Sequence, residues 1–194
     1  MTEKLIENTT DIITLAAQKV SKPQIEDVLP HYVGGQDLKN ALNFIAYLRE
    51  IKLKPTWTLH NAWKGVYKSK VIYYIRLPVY PSHFSHKRPD DKTDWTKSWT
   101  FTPYLHNIEE YQEKIDCEEF QKRILDCLKY ANPNCGRGCP CKNRKVLFTK
   151  QIHLCNGESY GGCATWFTNP NEAEIEWIKK LLEWEKQARI ERKI

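Results

Sequence analysis

Five cysteines in the last third of this 194-residue chain have the residue type and spacing that could bind a metal. Their spacing is C-x3-C-x-C, then thirteen residues, then C-x7-C. Thiolates from two neighbouring loops can hold a tetrahedral zinc ion. The first spacing fits one half of the usual structural zinc motif, whereas the second is wider than the other half. The sequence predicts a structural zinc ion held by thiolates drawn from Cys135, Cys139, Cys141, Cys155 and Cys163.

The same cysteines also allow free thiols, disulfides or a reactive thiol. Arg137, Lys142, Arg144 and Lys145 lie among them, and nearby cations lower the pKa of a cysteine thiol. A thiol-based enzyme or redox sensor is therefore an alternative function. The chain has no phosphate loop, dinucleotide fingerprint, nucleophile elbow or HExxH motif. We predict no catalytic residue, and a non-enzymatic role is favoured.

A second candidate site combines aromatic and basic residues. The formal net charge is +6, and residues 51–89 contain eight Lys or Arg but no Asp or Glu. Aromatic residues fill cores, but they also line ligand clefts. The predicted ligand-binding residues, set between a sheet and the long loop at 78–97, are Trp57, Trp63, Tyr67, Tyr74 and Trp99. An anionic or aromatic small molecule suits this region, and nucleic acid is the alternative partner because bases stack on aromatic rings between cations.

Hydrophobic periodicity indicates which elements position these residues. A first helix is predicted over 3–19, and DLKNALNFIAYLREIK forms a second with Asp37 as N-cap. The segments TWTLH, AWKGVY and KVIYYIRL are predicted strands, with a tight turn at 68–70 between the last two. Both faces of KVIYYIRL are apolar, which is typical of a central strand. WTFTPY is a further strand.

Later segments complete an α+β pattern. A helix over 107–131 has Asn107 as cap and Glu110 at the capping-box position, with a kink or break near Cys117. VLFTKQIHL is a predicted strand, and Asn169 is the predicted N-cap of a final helix. We therefore predict one two-layer α+β domain over 1–194, with helices packed on a mostly antiparallel sheet. Its segments are an N-terminal helical part (1–36), a helix-sheet-helix unit (37–131), and a Cys-rich loop with the C-terminal helix (132–194).

Two stretches carry a family resemblance. LNFIAYLREIKLKPTWTLHNAWKGVYKSKVIYYIRL and FTNPNEAEIEWIKKLLE resemble parts of small bacterial α+β proteins that form a domain of unknown function. The arrangement is remotely similar to the frataxin-like YjbR/YdhG group and to gyrase-inhibitor-like domains. This resemblance implies a two-layer fold and, for the second group, binding of bulky cations in an acidic aromatic cup. The aromatic region of this chain lacks acids, so no functional residue is transferred.

The location of the protein follows from what the sequence does not contain. No signal peptide is visible, and no apolar stretch is long enough to span a membrane. We expect a cytoplasmic protein without a membrane partner. Cytoplasmic thiols are usually reduced, which counts against a disulfide framework. The sequence leaves the oligomeric state and the small molecule unidentified.

Overall fold

A computed structural model describes residues 12–78, 94–131, 144–153 and 167–191. The helices are α1 (Leu15–Ser21), α2 (Ile25–Val28), α3 (Gly35–Glu50), α4 (Ile108–Tyr111), α5 (Glu118–Ala131) and α6 (Glu172–Glu191). The strands are β1 (Thr56–Leu59), β2 (Ala62–Tyr67), β3 (Lys70–Arg76), β4 (Thr100–Pro103), β5 (Arg144–Leu147), β6 (Lys150–His153) and β7 (Phe167–Thr168). Short 3-10 turns occur at Leu29–His31, Trp95–Lys97 and Gln112–Lys114.

The strands form a five-stranded sheet in the order β1-β2-β3-β4-β7 and a separate β5-β6 hairpin. β2 pairs antiparallel with both β1 and β3. Helices pack on the antiparallel sheet, so the predicted α+β fold is confirmed. The prediction that KVIYYIRL is a central strand is also confirmed, because β3 is the third of the five strands and Ile72, Tyr73 and Ile75 are fully buried.

The chain divides into two compact units. The first comprises Met1–Phe101 with Thr168–Glu172, and the second comprises Thr102–Phe167 with Ala173–Ile194. The segment boundaries predicted after residues 36 and 131 stay predictions. Each unit has its own buried side chains, and the two are described in turn.

In the first unit, α3 packs one apolar stripe onto the sheet. Ala41, Phe44, Ile45 and Leu48 recur at helical spacing and are all buried. The Phe44 ring lies 5.0 Å from that of Phe101 in an edge-to-face contact, and the Phe101 ring lies 5.1 Å from that of Tyr73. These contacts make one face of the sheet the core of this unit.

In the second unit, α6 supplies a buried stripe and a buried carboxylate. Ile178, Leu181 and Leu182 are fully buried on α6. The rings of Phe120 and Trp177 stack at 4.8 Å. Glu185, which lies on the same helix, is also fully buried, and it is neutralised within the unit.

The first two predicted helices begin at other residues than expected. Within the described residues, α1 starts at Leu15, because the Thr14 side chain caps it by accepting from the Ala17 N–H at 3.2 Å. The part of this prediction before residue 12 lies outside the described residues. α3 starts at Gly35 with Gly34 as its N-cap, so Asp37 lies in the first turn and the prediction of an Asp37 cap is wrong.

Three later elements also differ from the sequence-based expectation. The helix predicted over 107–131 is divided into α4, a 3-10 turn and α5, which confirms the break near Cys117. VLFTKQIHL forms the β5-β6 hairpin, because Phe148 and Thr149 adopt left-handed backbone conformations that turn the chain. α6 begins at Glu172, and the Asn169 side chain instead accepts a hydrogen bond from the Trp99 backbone N–H at 2.9 Å. Asn169 therefore joins two strands, and the prediction that it is the N-cap of the final helix is wrong.

No helix in the described parts of the chain has both the length and the apolar character to cross a membrane.

Candidate functional site

The β2-β3 hairpin brings basic and aromatic side chains onto one face of the sheet. Lys64 lies directly opposite Tyr74, and Arg76 lies two residues further along the same strand. Thr56 of β1 is the partner of Lys64 on its other side. Antiparallel partners and residues two apart point to the same face of a sheet. We call this group, Thr56, Lys64, Tyr74 and Arg76, the basic face.

The charges of the basic face are only partly covered. Lys64, Tyr74 and Arg76 are half-buried and Thr56 is exposed. The Arg76 guanidinium lies over the Tyr74 ring, 4.7 Å from its centroid, which is a cation–π contact. Among the described residues, the Lys64 side chain has no ion pair or hydrogen bond.

Arg49, in the same unit, is by contrast neutralised by an ion pair with Glu26. Its Nε and Nη2 atoms donate to the two carboxylate oxygens of Glu26 at 2.8 and 2.9 Å. Burial opposes ionisation of Glu26, but the hydrogen bond and charge of Arg49 outweigh it, so the pKa of Glu26 lies below its ordinary value. The hydrogen bond to Glu26 raises the pKa of Arg49. This bidentate pair satisfies the guanidinium internally, and Arg49 is not part of the basic face.

A β-bulge decides which side chains reach the basic face. Near the turn, Tyr67 pairs with Lys70 and Val66 with Val71. From Gly65 back to Ala62, each residue of β2 pairs with a β3 residue one position later than this register implies. A shift of one residue moves side chains to the opposite face. Without the bulge Lys64 would face Tyr73 in the core. With it, Lys64 faces Tyr74.

The structure separates the five aromatic residues predicted to bind ligand. Trp63 and Trp99 are fully buried. Trp57 is half-buried and pairs with Trp63 on the face opposite Tyr74. Tyr67 is half-buried near the hairpin turn, where the Lys68 ammonium lies 5.8 Å from its ring centroid. The five therefore do not share one face, and Tyr74 is the one that lies on the basic face.

The indole groups of Trp57, Trp63 and Trp99 differ in their hydrogen bonds. Trp63 Nε1 donates to the Pro23 carbonyl at 2.9 Å, and Trp57 Nε1 donates to Gln18 Oε1 at 3.2 Å. Trp99 Nε1 and the neighbouring Thr100 hydroxyl are buried and have no hydrogen-bond partner among the described residues. Trp63 and Trp57 thus use their polar atoms to hold the fold.

A buried amide network closes the end of the sheet next to Trp57. Gln18 Nε2 donates to Asn61 Oδ1 at 2.7 Å, and Gln18 Oε1 accepts from the Asn61 backbone N–H at 2.9 Å. Asn61 Nδ2 donates to the Tyr32 hydroxyl at 2.8 Å and to the Pro78 carbonyl at 2.7 Å. Asn61 has a positive φ of 53°, which asparagine tolerates better than most residues. The network joins α1 to the β1-β2 turn.

The cysteines of the predicted zinc site, Cys135, Cys139, Cys141, Cys155 and Cys163, lie outside the described residues. Cys117, which is described, is a half-buried free thiol. Among the described residues, no group of three or more His, Cys, Asp or Glu side chains could hold a metal ion. The zinc site stays a prediction.

Metal content tests that prediction. We expect the purified protein to contain about one zinc ion per chain and to melt at a lower temperature after chelation, because ligand binding to the folded state stabilises it. Elemental analysis and thermal melts with and without a chelator measure both quantities. Metal-free protein with an unchanged melting temperature would contradict the prediction.

Sequence reasoning missed Lys64 and Arg76 as individual binding residues, although it found the basic segment that contains them. The available signal was Gly65, because an isolated glycine inside a strand pattern indicates a bulge or a close backbone approach.

Comparison with protein-family models, curated proteins and solved structures gave no match. The function must therefore be argued from the site itself.

Proposed function

We propose that this protein is a cytoplasmic, non-enzymatic binding protein that takes up an anionic ligand carrying an aromatic group. The observation that supports the proposal is the basic face, where Lys64 lies opposite Tyr74 and Arg76 stacks on the Tyr74 ring. The thiol-based alternative depends on cysteines outside the described residues.

The chemistry of these side chains matches such a ligand. Lysine is a point charge that pairs with phosphate or carboxylate, and arginine has five N–H donors around the edge of a plane whose faces can stack. Tyr74 adds an aromatic surface for the flat part of the ligand. Residues 51–78 contain no carboxylate side chain that would repel the anion. A phosphate or carboxylate near Lys64 and Arg76, with a ring near Tyr74, satisfies all three groups.

A titration with adenosine monophosphate tests this arrangement. We expect the Lys64→Ala/Arg76→Ala variant to bind this probe about tenfold or more weakly, because hydrogen bonds to charged groups contribute about 1.5–3 kcal/mol each. Calorimetry or changes in NMR shifts would measure the dissociation constant. Lys39→Ala/Lys114→Ala is the matched control, because it removes the same charge from two exposed lysines elsewhere. We expect this control to bind like the unmodified protein.

Tyr74→Leu separates the aromatic contribution from the charges. We expect it to weaken binding of adenosine monophosphate but not of ribose 5-phosphate, which lacks the base. Equal affinity of the unmodified protein, the cation variant and the control for the nucleotide would reject the proposed site.

A further inference from the structure

We infer that the ligand of the basic face is an amphipathic anion, whose aromatic ring carries an apolar chain that lies on Val66 and Val71. This inference rests on the proposed function, because it names the ligand class of the same site. It follows from the position of these two valines, which lie on the face of Tyr74, between that residue and the hairpin turn. We call Val66 and Val71 the valine pair.

The register of the hairpin places the valine pair and the basic face on one side of the sheet. Val66 lies two residues beyond Lys64, and all six residues of β2 pair in succession with β3, so the alternation of β2 is unbroken. Val71 is the direct partner of Val66 and therefore shares its face. Val71 and Tyr74 are three residues apart, which would separate them in a regular strand. Ile72, the extra residue of the bulge, brings both to the same face.

The side chains of this face change from cationic to apolar along the hairpin. Arg76 lies in the first row, Lys64 and Tyr74 form the second, and the valine pair forms the third. Successive rows are two residues apart, or about 7 Å at the rise of a β-strand. Val66 is 42% exposed, and Val71 is half-buried. A single exposed valine is ordinary on a protein surface, but this one directly continues the row that contains the Tyr74 ring.

This order of side chains matches an aryl phosphate or aryl carboxylate with an alkyl substituent. With the anionic group at the cations and the ring near Tyr74, a substituent on the far side of the ring points away from the cations and toward the valine pair. Leu59 is the other exposed apolar side chain on this face, because it pairs with Ala62. It lies on the edge strand in the row of Arg76. A chain directed to Leu59 would take the ring away from Tyr74, so we assign the chain to the valine pair.

Titrations with phenyl phosphate and 4-butylphenyl phosphate test the inference, because the two compounds differ only in the alkyl chain. We expect the unmodified protein to bind the butyl compound about tenfold more tightly, since one side of the chain leaves water. Val66→Ser should remove most of this gain. It should leave the affinity for phenyl phosphate unchanged, which also shows that the variant is folded. Leu59→Ser is the matched control, because it removes an apolar side chain that is 56% exposed on the same face, and it should keep the full gain.

The outcomes separate the two proposals. Equal affinity for the two compounds, with binding that still depends on Lys64 and Arg76, would overturn this inference and leave the proposed function in place. Absence of binding to both compounds and to adenosine monophosphate would overturn both. A gain that persists in Val66→Ser, or that is lost in Leu59→Ser, would also overturn the inference. Sedimentation of the free protein tests the remaining occupant of this face. A dimer that Val66→Ser dissociates would show that the valine pair is an interface between two copies of the chain, and the inference would then be wrong.

Discussion

Replacing Glu185 with alanine should lower the free energy of unfolding by about 3–5 kcal/mol, because it leaves a buried positive charge without its partner. Glu185 is fully buried on α6 and pairs with Arg189 one turn later at 2.9 Å. The Arg189 side chain is itself only 7% exposed. Water cannot easily replace the lost carboxylate.

The carboxylate also satisfies groups on another element. Asn107 donates to it through its backbone N–H at 3.1 Å and through its side-chain amide at 2.9 Å, and the Tyr111 hydroxyl donates at 3.0 Å. The alanine variant removes the acceptor of these hydrogen bonds, and a buried donor that loses its partner costs about 1–3 kcal/mol if water does not reach it. Glu185 thus connects α6 to the segment that begins α4.

Denaturant unfolding of the two variants in parallel measures the effect. Glu176→Ala is the matched control, because it removes the same side chain from the same helix. Glu176 is 63% exposed and pairs with Lys179 on the surface. Exposed ion pairs contribute about 1 kcal/mol or less. If the two variants lose similar stability, Glu185 does not have the structural role assigned to it.

Glu185 also illustrates what a sequence cannot indicate. Asn107 and Glu110 fit a capping-box pattern, so the sequence predicted that the Asn107 side chain would cap its own helix. Asn107 does occupy the cap position of α4, but its side chain makes no capping hydrogen bond and instead binds Glu185. A buried carboxylate 78 residues away competes for the same donor, and local patterns carry no information about such a partner.

The elements of the sheet were more predictable than their register. The three segments 56–59, 62–67 and 70–76 have strong β-propensity and alternation, and the turn at Lys68-Ser69 is short, so each strand was predicted. A two-residue turn alone implies that Lys64 pairs with Tyr73. The bulge changes that pairing, and it depends on how Tyr73 and its neighbours pack in three dimensions. The basic segment was therefore predictable, but the composition of the basic face was not.

The surroundings of the aromatic residues were also not predictable from the sequence. Trp63 and Trp99 have the residue type expected of both a core and a ligand site, and composition does not distinguish the two. Both are buried in the structure. Tyr74, next to the buried Tyr73, lies on the other face with its ring against Arg76. Adjacent residues of identical type thus have different surroundings, because alternate residues of a strand point to opposite faces.

Gly65→Ala should lower the free energy of unfolding by about 2–4 kcal/mol and is the second large effect that we expect. Gly65 lies directly opposite Tyr73, whose ring covers the glycine. A Cβ atom at Gly65 would lie 2.7 Å from Tyr73 Cδ1 and closer still to two other ring atoms. Real Cβ atoms essentially never approach other atoms this closely, so the ring must move.

The Tyr73 ring has little room to move. It is fully buried, packs on Phe101, and its hydroxyl donates to the Leu53 carbonyl. Burial raises the pKa of the Tyr73 phenol, so the hydroxyl keeps its proton and remains a donor. Displacing the ring therefore breaks a buried hydrogen bond in addition to disturbing the packing.

Gly34→Ala is the control, because a Cβ there meets nothing within 4 Å. We expect it to cost about 1 kcal/mol or less, as is typical for replacing an N-cap glycine.

A double-mutant cycle assigns the loss to this contact. Tyr73→Leu alone removes the ring and its hydrogen bond and should be destabilising. In the Gly65→Ala background the same substitution should cost less, because the ring that overlaps the new methyl group is gone. The predicted coupling is favourable and at least about 1 kcal/mol, as is typical of residues in direct contact. Additive losses would show that the overlap of the new methyl group with the Tyr73 ring is not the source of the destabilisation.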